Sequence, residues 1–277
     1  MYQGLIDFES GMHGHFLEYV CNKYIFNVSL QQSPFFSNGS SHAINLDSQY
    51  QQNKQITSGH FTSQWLGIRK IPNIKKVIYI KPNQDFHIIH LINAFHRCSW
   101  TDDNLKDLGK ETIVKYHFDE ILKHFGSQSQ SVLRAALFDK FSNFNNLIPA
   151  YSDRFDFDLG SFFSFTQFLT SLQQLSKFLD HTLILSCDLY KDWQTFIDKN
   201  DGYQTHLLVD ELLKKIVSNQ SCKIPNNVLV HAYLNYNLSK IFRLYDGQLH
   251  DNEEYPTDTS EIYKIIQNHQ SLHDNKF

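Results

Sequence analysis

The sequence has little glycine and proline, few cysteines and no long apolar run. Its 277 residues include 11 glycines, 6 prolines and 4 cysteines, while 41% of the chain is hydrophobic and 19% is charged. This composition is typical of a globular chain with enough apolar surface to bury, and it argues against wholesale disorder. Since single α/β units reach this length, we predict one domain over residues 1–277.

Charge and apolar patterning exclude several classes of partner. The formal net charge is -4, and no run of lysine and arginine is long enough to follow a phosphate backbone, so nucleic acid is not an expected partner. No window approaches the roughly 18 apolar residues of a membrane-spanning helix. Met1 to Glu9 carry neither a basic leader nor a sustained apolar core, so the expected location is the cytoplasm.

The cysteines give no sign of a metal or redox site. They are widely separated and form no CxxC pair. We predict reduced packing residues at Cys21, Cys98, Cys187 and Cys222.

The opening of the chain has the pattern of a strand, a glycine loop and a helix. Tyr2 to Phe8 is a short apolar strand, Glu9 to Gly14 breaks the pattern, and His15 to Ile25 has helical spacing. Residues 31–54 are rich in Ser, Asn and Gln and are expected to form a surface loop or lid. A second strand is predicted over Gln55 to His60.

The next elements indicate a parallel sheet. Lys75 to Ile80 ends in a continuous apolar run, as expected of a strand buried on both faces, and Asp85 to Cys98 has an apolar helical stripe. Alternating strands and helices imply right-handed crossovers. We therefore predict an α/β fold of three layers, with a parallel sheet flanked by helices.

The middle and the C-terminal part of the chain are predicted to be largely helical. No convincing strand occurs from Asn104 to Leu179, and residues 104–180 are interpreted as a helical insertion. Thr182 to Ser186 is predicted to be another buried strand. The predicted helices of these regions are Gln130–Phe144, Phe162–Leu179, Leu207–Val217 and Asn227–Tyr245.

The glycine loop is the first candidate site, because ligands of open α/β sheets collect at the carboxyl ends of strands. A glycine turn that leads into a helix presents backbone N–H groups and the positive end of the helix dipole, which favour phosphate or sulfate. The loop lacks the GK[ST] ending of nucleoside triphosphatases, and it also fits a plain strand-to-helix turn. The candidate binding residues are Ser10, Gly11, Met12, His13, Gly14 and His15.

Two further candidates follow the next predicted strands. His60 comes directly after Gly59, and a neutral imidazole there can accept a proton from a hydroxyl. Lys81 ends the third strand, where it can pair with a phosphate, and His90 follows on the next helix. Taken singly, each also fits an ordinary surface position in a turn, a strand end or an exposed helix face.

Together, these segments resemble the sulfotransferase superfamily. The family's opening loop reads approximately PKSGTTWL; here Ser10 and Gly11 match, Glu9 stands in place of the lysine, and the loop is two residues longer. His60 lies where the family's KTHLP segment places a catalytic histidine. Lys81-Pro82-Asn83-Gln84-Asp85 corresponds to RNPxD, and residues 188–192 are similar to the late YEDLKKDP segment.

The resemblance implies a P-loop-like sulfotransferase fold and a reaction. The reaction is transfer of a sulfuryl group from 3'-phosphoadenosine 5'-phosphosulfate to a hydroxyl of a carbohydrate, such as a polysaccharide, or of a small molecule. Residues 10–15 would hold the 5'-phosphosulfate, and Lys81 with His90 would meet the 3'-phosphate. His60 would deprotonate the acceptor, and His13 or His15, in its protonated form, would replace the missing lysine as a donor to the bridging oxygen. No metal is expected.

Two alternatives stay open. Glu9 would repel an anionic sulfate, which favours a non-catalytic member of the same fold that binds a nucleotide or a protein. A metal-dependent hydrolase is the other alternative, although no carboxylate or cysteine completes a familiar ligand signature. Its candidate ligands are His13, His15, His60, His87 and His90.

Overall fold

The computed structural model describes residues 2–8, 11–29, 53–59, 76–81, 83, 153–225, 230, 234, 237–238 and 256–274. The chain divides into two compact units. Met1–Arg97 and Asn143–Tyr203 form the first unit, and Cys98–Ser142 and Gln204–Phe277 form the second. The single domain expected over residues 1–277 stays a prediction.

A four-stranded, all-parallel sheet flanked by helices forms the centre of the first unit, which confirms the α/β class. Its order is β2-β1-β3-β4, with β1 paired to β2 and β3, and β3 paired to β4. β1 and the middle of β3 are buried, as expected of parallel strands covered on both faces. The strands are β1 Gly4–Asp7, β2 Ile56–Gly59, β3 Lys76–Lys81 and β4 Asp153–Asp158.

Three of the four strands lie where apolar patterning predicts them, and β4 does not. The prediction of no strand between Asn104 and Leu179 is wrong, because Asp153–Asp158 is the edge strand of the sheet. Its sequence, DRFDFD, alternates charged residues with Phe155 and Phe157, and Phe157 is fully buried. Charged side chains are common on edge strands, and here they hide the apolar signal.

Helices pack around the sheet through an aromatic core. The Phe16 ring stacks on Phe196 with ring centroids 4.2 Å apart, and on Phe168 at 5.6 Å. These contacts join three helices, because α1 carries Phe16, α2 carries Phe168 and α3 carries Phe196. The helical segments are α1 Gly14–Val20 with its π-helical continuation Cys21–Ile25, the 3-10 turn Leu159–Phe163, α2 Phe165–Phe178, α3 Cys187–Asp198, α4 Asp201–Val217 and α5 Thr259–Asp274.

The predicted helices and the prediction for Thr182–Ser186 have mixed outcomes. The predictions at His15–Ile25, Phe162–Leu179 and Leu207–Val217 are confirmed, with shifted bounds. Thr182–Ser186 is not a strand: the Ile184 N–H donates to the Tyr24 carbonyl, 2.7 Å away, at the end of the π-helical segment. Leu185 is 62% exposed, so this apolar run is not buried in the sheet.

Several sequence predictions lie outside the described residues. They include Cys98, the helices at 85–98 and 130–144, and nearly all of the loop at 31–54. The other three cysteines are free thiols, and Cys21 alone among them is buried. Burial, with the nearby Glu18 charge, raises the pKa of the Cys21 thiol far above its ordinary value, in keeping with a packing role.

The second unit is described mainly through α4 and α5. Thr259, at the start of α5, accepts from the Cys222 N–H at 2.8 Å and donates to the Gln220 carbonyl at 2.6 Å. These bonds tie the chain after α4 to the start of α5. In the described part of the chain, no helix has the length and apolar character needed to cross a membrane. Buried side chains of this unit are Val209, Leu212, Ile216, Ile224, Val230, Leu234, Leu238, Ile262 and Ile266.

Candidate functional site

The carboxyl edge of the sheet between β1 and β3 is the candidate site. From β1 the chain passes to β2 on one side, and from β3 it passes to β4 on the other side. Adjacent strands whose connections leave in opposite directions create a crevice at their carboxyl ends, which is where open α/β proteins bind ligands. Asp7 ends β1 opposite Gly59 of β2 and Tyr79 of β3.

The loop after β1 turns sharply into α1, and two glycines make this turn possible. Gly11 has φ 92°, in the left-handed region that glycine occupies without strain. Gly14, the first residue of α1, lies against the Phe8 ring, and a Cβ added at Gly14 would stand 2.0 Å from a carbon of that ring. Only glycine therefore allows the helix to begin directly over the end of β1.

His13 turns its ring into the protein core. It is 4% exposed and caps α1 in a left-handed conformation, φ 63°, without a side-chain capping bond. The edge of its ring meets Phe196, with centroids 4.8 Å apart, and its Nε2 lies 3.2 Å from Asn200 Nδ2. The predicted anion-binding side chain thus belongs to the aromatic core.

The hydrogen bonds of Asn200 define the tautomer of His13. The Tyr203 backbone N–H donates to Asn200 Oδ1 at 2.9 Å. The atom of Asn200 that faces His13 is therefore the amide nitrogen, Nδ2. Since Nδ2 can only donate, His13 Nε2 accepts this bond and the hydrogen of the neutral ring is on Nδ1. A protonated His13 would place two donors face to face.

His15 is the second residue of α1 and is hydrogen-bonded to a residue of β2. Its Nδ1 is 2.9 Å from the Ser58 hydroxyl, and its ring meets Phe8 edge-on at 5.2 Å between centroids. Ser58 also donates to Glu18 Oε2, while Glu18 Oε1 forms a salt bridge of 3.2 Å with Lys54. This chain of four side chains, His15-Ser58-Glu18-Lys54, is here termed the α1–β2 network.

Lys81 stands at the carboxyl end of β3, exposed to solvent. In the described part of the chain its ammonium group makes no ion pair. Its register partner on β4 is Asp158, whose carboxylate accepts from Gly160 N–H at 2.7 Å and from Asn83 Nδ2 at 2.9 Å. Lys81 is therefore a cation at the switch point that can meet a phosphate.

The predicted site residues divide into those that the structure describes and those that it does not. Gly11 to His15 follow β1 and Lys81 ends β3, the strand paired with β1, although Met12 is fully buried and His13 faces the core. Ser10, His60 and His90 lie outside the described residues, as do His87 and Glu9. Gly59, the neighbour of His60 in sequence, ends β2 and accepts from the Phe8 N–H at 3.3 Å.

Sequence reasoning missed the partners of the two loop histidines. Glu18 lies three residues after His15 on α1, a spacing that places both on one helix face, so this part of the α1–β2 network had a sequence signal. Asn200 is 187 residues from His13 and had none. Among the described residues there is no group of three or more metal-ligating side chains.

Asp192, one of the residues matched to the late family segment, is hydrogen-bonded to three side chains of the first helical segment. Its Oδ2 accepts from Tyr19 and Tyr24 hydroxyls at 2.8 and 2.6 Å and from the Lys23 ammonium at 2.8 Å. Burial and this carboxylate raise the pKa of Tyr24 well above its ordinary value. Asp192 thus joins α3 to the helix that follows the candidate loop.

No protein-family model, no curated protein and no solved structure matches this chain.

Proposed function

We propose that this chain binds a nucleotide that carries phosphate and sulfate groups at the edge between β1 and β3, and transfers the sulfuryl group to a hydroxyl. The donor would be 3'-phosphoadenosine 5'-phosphosulfate, and the acceptor a carbohydrate or a small molecule. One observation carries the proposal: the glycine loop after β1 and the exposed Lys81 of β3 flank the same topological switch point. The resemblance of the opening loop to PKSGTTWL supplies the choice of donor.

The proposed roles follow from charge and position. The backbone of residues 10–15 would hold the 5'-phosphosulfate, and Lys81, with His90, would hold the 3'-phosphate. Sulfuryl transfer, like phosphoryl transfer, depends mainly on positioning and on stabilisation of the leaving group. The resemblance assigns removal of the acceptor's proton to His60.

A transfer assay tests the proposal. The full chain is incubated with donor and a panel of hydroxyl-bearing carbohydrates, and release of 3'-phosphoadenosine 5'-phosphate is measured. We expect release that depends on the acceptor, and for Lys81→Ala a KM for the donor raised roughly tenfold, since a charge-assisted bond contributes about 1.5–3 kcal/mol. Lys191→Ala is the matched control, because Lys191 is an exposed lysine on α3 paired with Asp188.

A second candidate function is binding without catalysis. The specific observation in its favour is His13, which is held neutral in the core by Asn200 and does not replace the cation of the family's loop. Glu9, which stands at the lysine position of that loop, also favours this candidate. Nucleotide binding without acceptor-dependent release of 3'-phosphoadenosine 5'-phosphate would favour this candidate. Absence of both nucleotide binding and this release would favour a role in binding a protein partner.

A further inference from the structure

Residues 182–186, here termed the open segment, are apolar, straight and exposed. They lie between α2 and α3 without a turn or a bend, and Ser186 at their end is extended, with φ -143° and ψ 160°. Ile184 is 41% exposed and Leu185 is 62% exposed. The sequence TLILS is typical of a buried strand, yet no strand of the described part of the chain pairs with it. Exposed apolar residues that adjoin one another mark interaction surfaces.

One backbone hydrogen bond shows which edge of the open segment faces the protein. The Ile184 N–H donates to the Tyr24 carbonyl at 2.7 Å. In an extended chain, the N–H and C=O groups of one residue point to one edge, and those of its two neighbours point to the opposite edge.

The backbone groups of Leu183 and Leu185 therefore point away from Tyr24, to the outer edge of the open segment. Within the ranges that the structure describes, these groups make no hydrogen bond. Backbone donors and acceptors are nearly always paired when they are covered, and an unpaired strand edge is a template for another strand. The outer edge is thus suited to pair with an extended chain.

We propose that the open segment pairs antiparallel with the same segment of a second copy of this chain. The second copy carries what the outer edge requires, namely an uncharged apolar strand with N–H and C=O groups at the same spacing. With Ile184 opposite Ile184 of the second copy, Leu183 lies opposite Leu185 of the other chain, and Leu185 opposite Leu183. Every donor of both outer edges then meets an acceptor.

Neighbouring hydrogen bonds favour this register over the adjacent ones. A shift of the symmetry centre by one residue in either direction would bring residue 181 or residue 187 into the ladder. The His181 N–H already donates to the Ser176 carbonyl at 2.9 Å, and Cys187 is the first residue of α3. The register centred on Ile184 is the one that uses both outer-edge residues and disturbs neither bond nor helix.

The charges at the two ends of the open segment are complementary in this arrangement. Residues 182–187 carry no charged side chain. At one end Asp180 pairs with Lys76 at 2.6 Å, and at the other end Asp188 pairs with Lys191 at 3.4 Å. Antiparallel pairing brings the first end of one copy to the second end of the other copy. Each end contains one carboxylate and one ammonium group, so opposite charges can pair across the interface.

The small size of the interface predicts weak association. Stable interfaces bury about 1,200–2,000 Å² of surface in total. Two five-residue segments, even with the exposed Tyr190 of α3, are small by this measure. We therefore expect a dimer that forms at high concentration and dissociates on dilution.

Disulfide trapping tests the register. In the proposed pairing the Cα atoms of the two Ile184 residues are about 4.5 Å apart, within the roughly 4.4–6.8 Å that a disulfide spans. The Cα atoms of the two Leu185 residues are more than about 7 Å apart, which is too far. In full-length chains that also carry Cys187→Ser, mild oxidation of Ile184→Cys should give a covalent dimer, and Leu185→Cys should give little.

The chain with Cys187→Ser alone provides the baseline for trapping. No covalent dimer of Ile184→Cys above this baseline would overturn the proposal. Equal or faster trapping of Leu185→Cys would overturn it as well, because the two chains would then meet in another arrangement.

Analytical ultracentrifugation of the full chain, from micromolar to millimolar concentration, measures association without a cross-link. We expect a monomer that becomes a dimer as the concentration rises. Leu185→Asp should weaken dimerisation roughly tenfold or more, because it places an unpaired carboxylate in the apolar strand pair. Leu207→Asp is the matched control, since Leu207 is 44% exposed on α4, and it should leave dimerisation unchanged. A monomer at every concentration, or equal effects of the two variants, would overturn the proposal.

Amide hydrogen exchange separates strand pairing from other kinds of association. Dimerisation should slow exchange at Leu183 and Leu185 and leave Thr182, whose N–H points to the inner edge, unchanged. A dimer without this protection would overturn the strand pairing. Binding of a neutral valine-threonine peptide by a chain that stays monomeric would replace the second copy with a different partner. All these measurements are made without nucleotide, so their outcome is independent of the proposed function.

Discussion

At the scale of single residues, the loop after β1 is constrained more by packing than by charge. Gly14 packs so closely against the Phe8 ring that residue 14 has no space for a Cβ, and the His13 side chain is buried in the core. Sequence alone predicts the glycine loop, because glycines after an apolar run are a local signal. It does not reveal which of His13 and His15 faces the core, since that depends on Asn200 and Ser58, which are distant in sequence.

Gly14→Ala should therefore destabilise the protein. The new Cβ would overlap the Phe8 ring, and overpacking of this kind costs about 1–3 kcal/mol. Denaturant unfolding measures the free energy. Gly4→Ala is the matched control, since its Cβ would meet Ile56 and Leu179 at an ordinary 3.5 Å. Equal stabilities of the two variants would contradict the close packing at Gly14.

At the scale of elements, the accuracy of prediction follows from how apolar each segment is. The continuous apolar runs of β1 and β3 identify strands covered on both faces. β4 is missed because its charged residues alternate with its two phenylalanines at an edge. Thr182–Ser186 has strand composition, yet its Ile184 N–H bonds to a helix end, a partner that no local pattern reveals.

Packing of α3 against α1 depends on Asp192. Because its carboxylate accepts from two tyrosines and a lysine and its side chain is only 16% exposed, Asp192→Asn should destabilise the protein by about 2 kcal/mol. Asp188→Asn on the same helix is the control. Its pair with Lys191 is exposed on both sides, so we expect a change of at most roughly 0.5 kcal/mol. Thermal or denaturant unfolding compares the stabilities of the two variants, and similar losses of stability would contradict this role of Asp192.

At the scale of the whole molecule, the sequence predicts the fold class and the edge of the sheet at which a ligand would bind. Alternating strands and helices are enough to predict a parallel sheet, and a parallel sheet is enough to direct attention to its carboxyl edge. The order β2-β1-β3-β4 narrows this edge to the crevice between β1 and β3. The order of the strands depends on pairing between residues that are distant in sequence, so local patterns do not predict it.

The central claim is that this crevice binds the nucleotide through the glycine loop and Lys81. Isothermal titration of the full chain with 3'-phosphoadenosine 5'-phosphate tests it most directly, with Lys81→Ala and Lys191→Ala as the matched pair. We predict micromolar binding that Lys81→Ala weakens roughly tenfold and Lys191→Ala leaves unchanged, as loss of one charge-assisted bond requires. No heat of binding, or equal losses in both variants, would contradict a donor site at this edge.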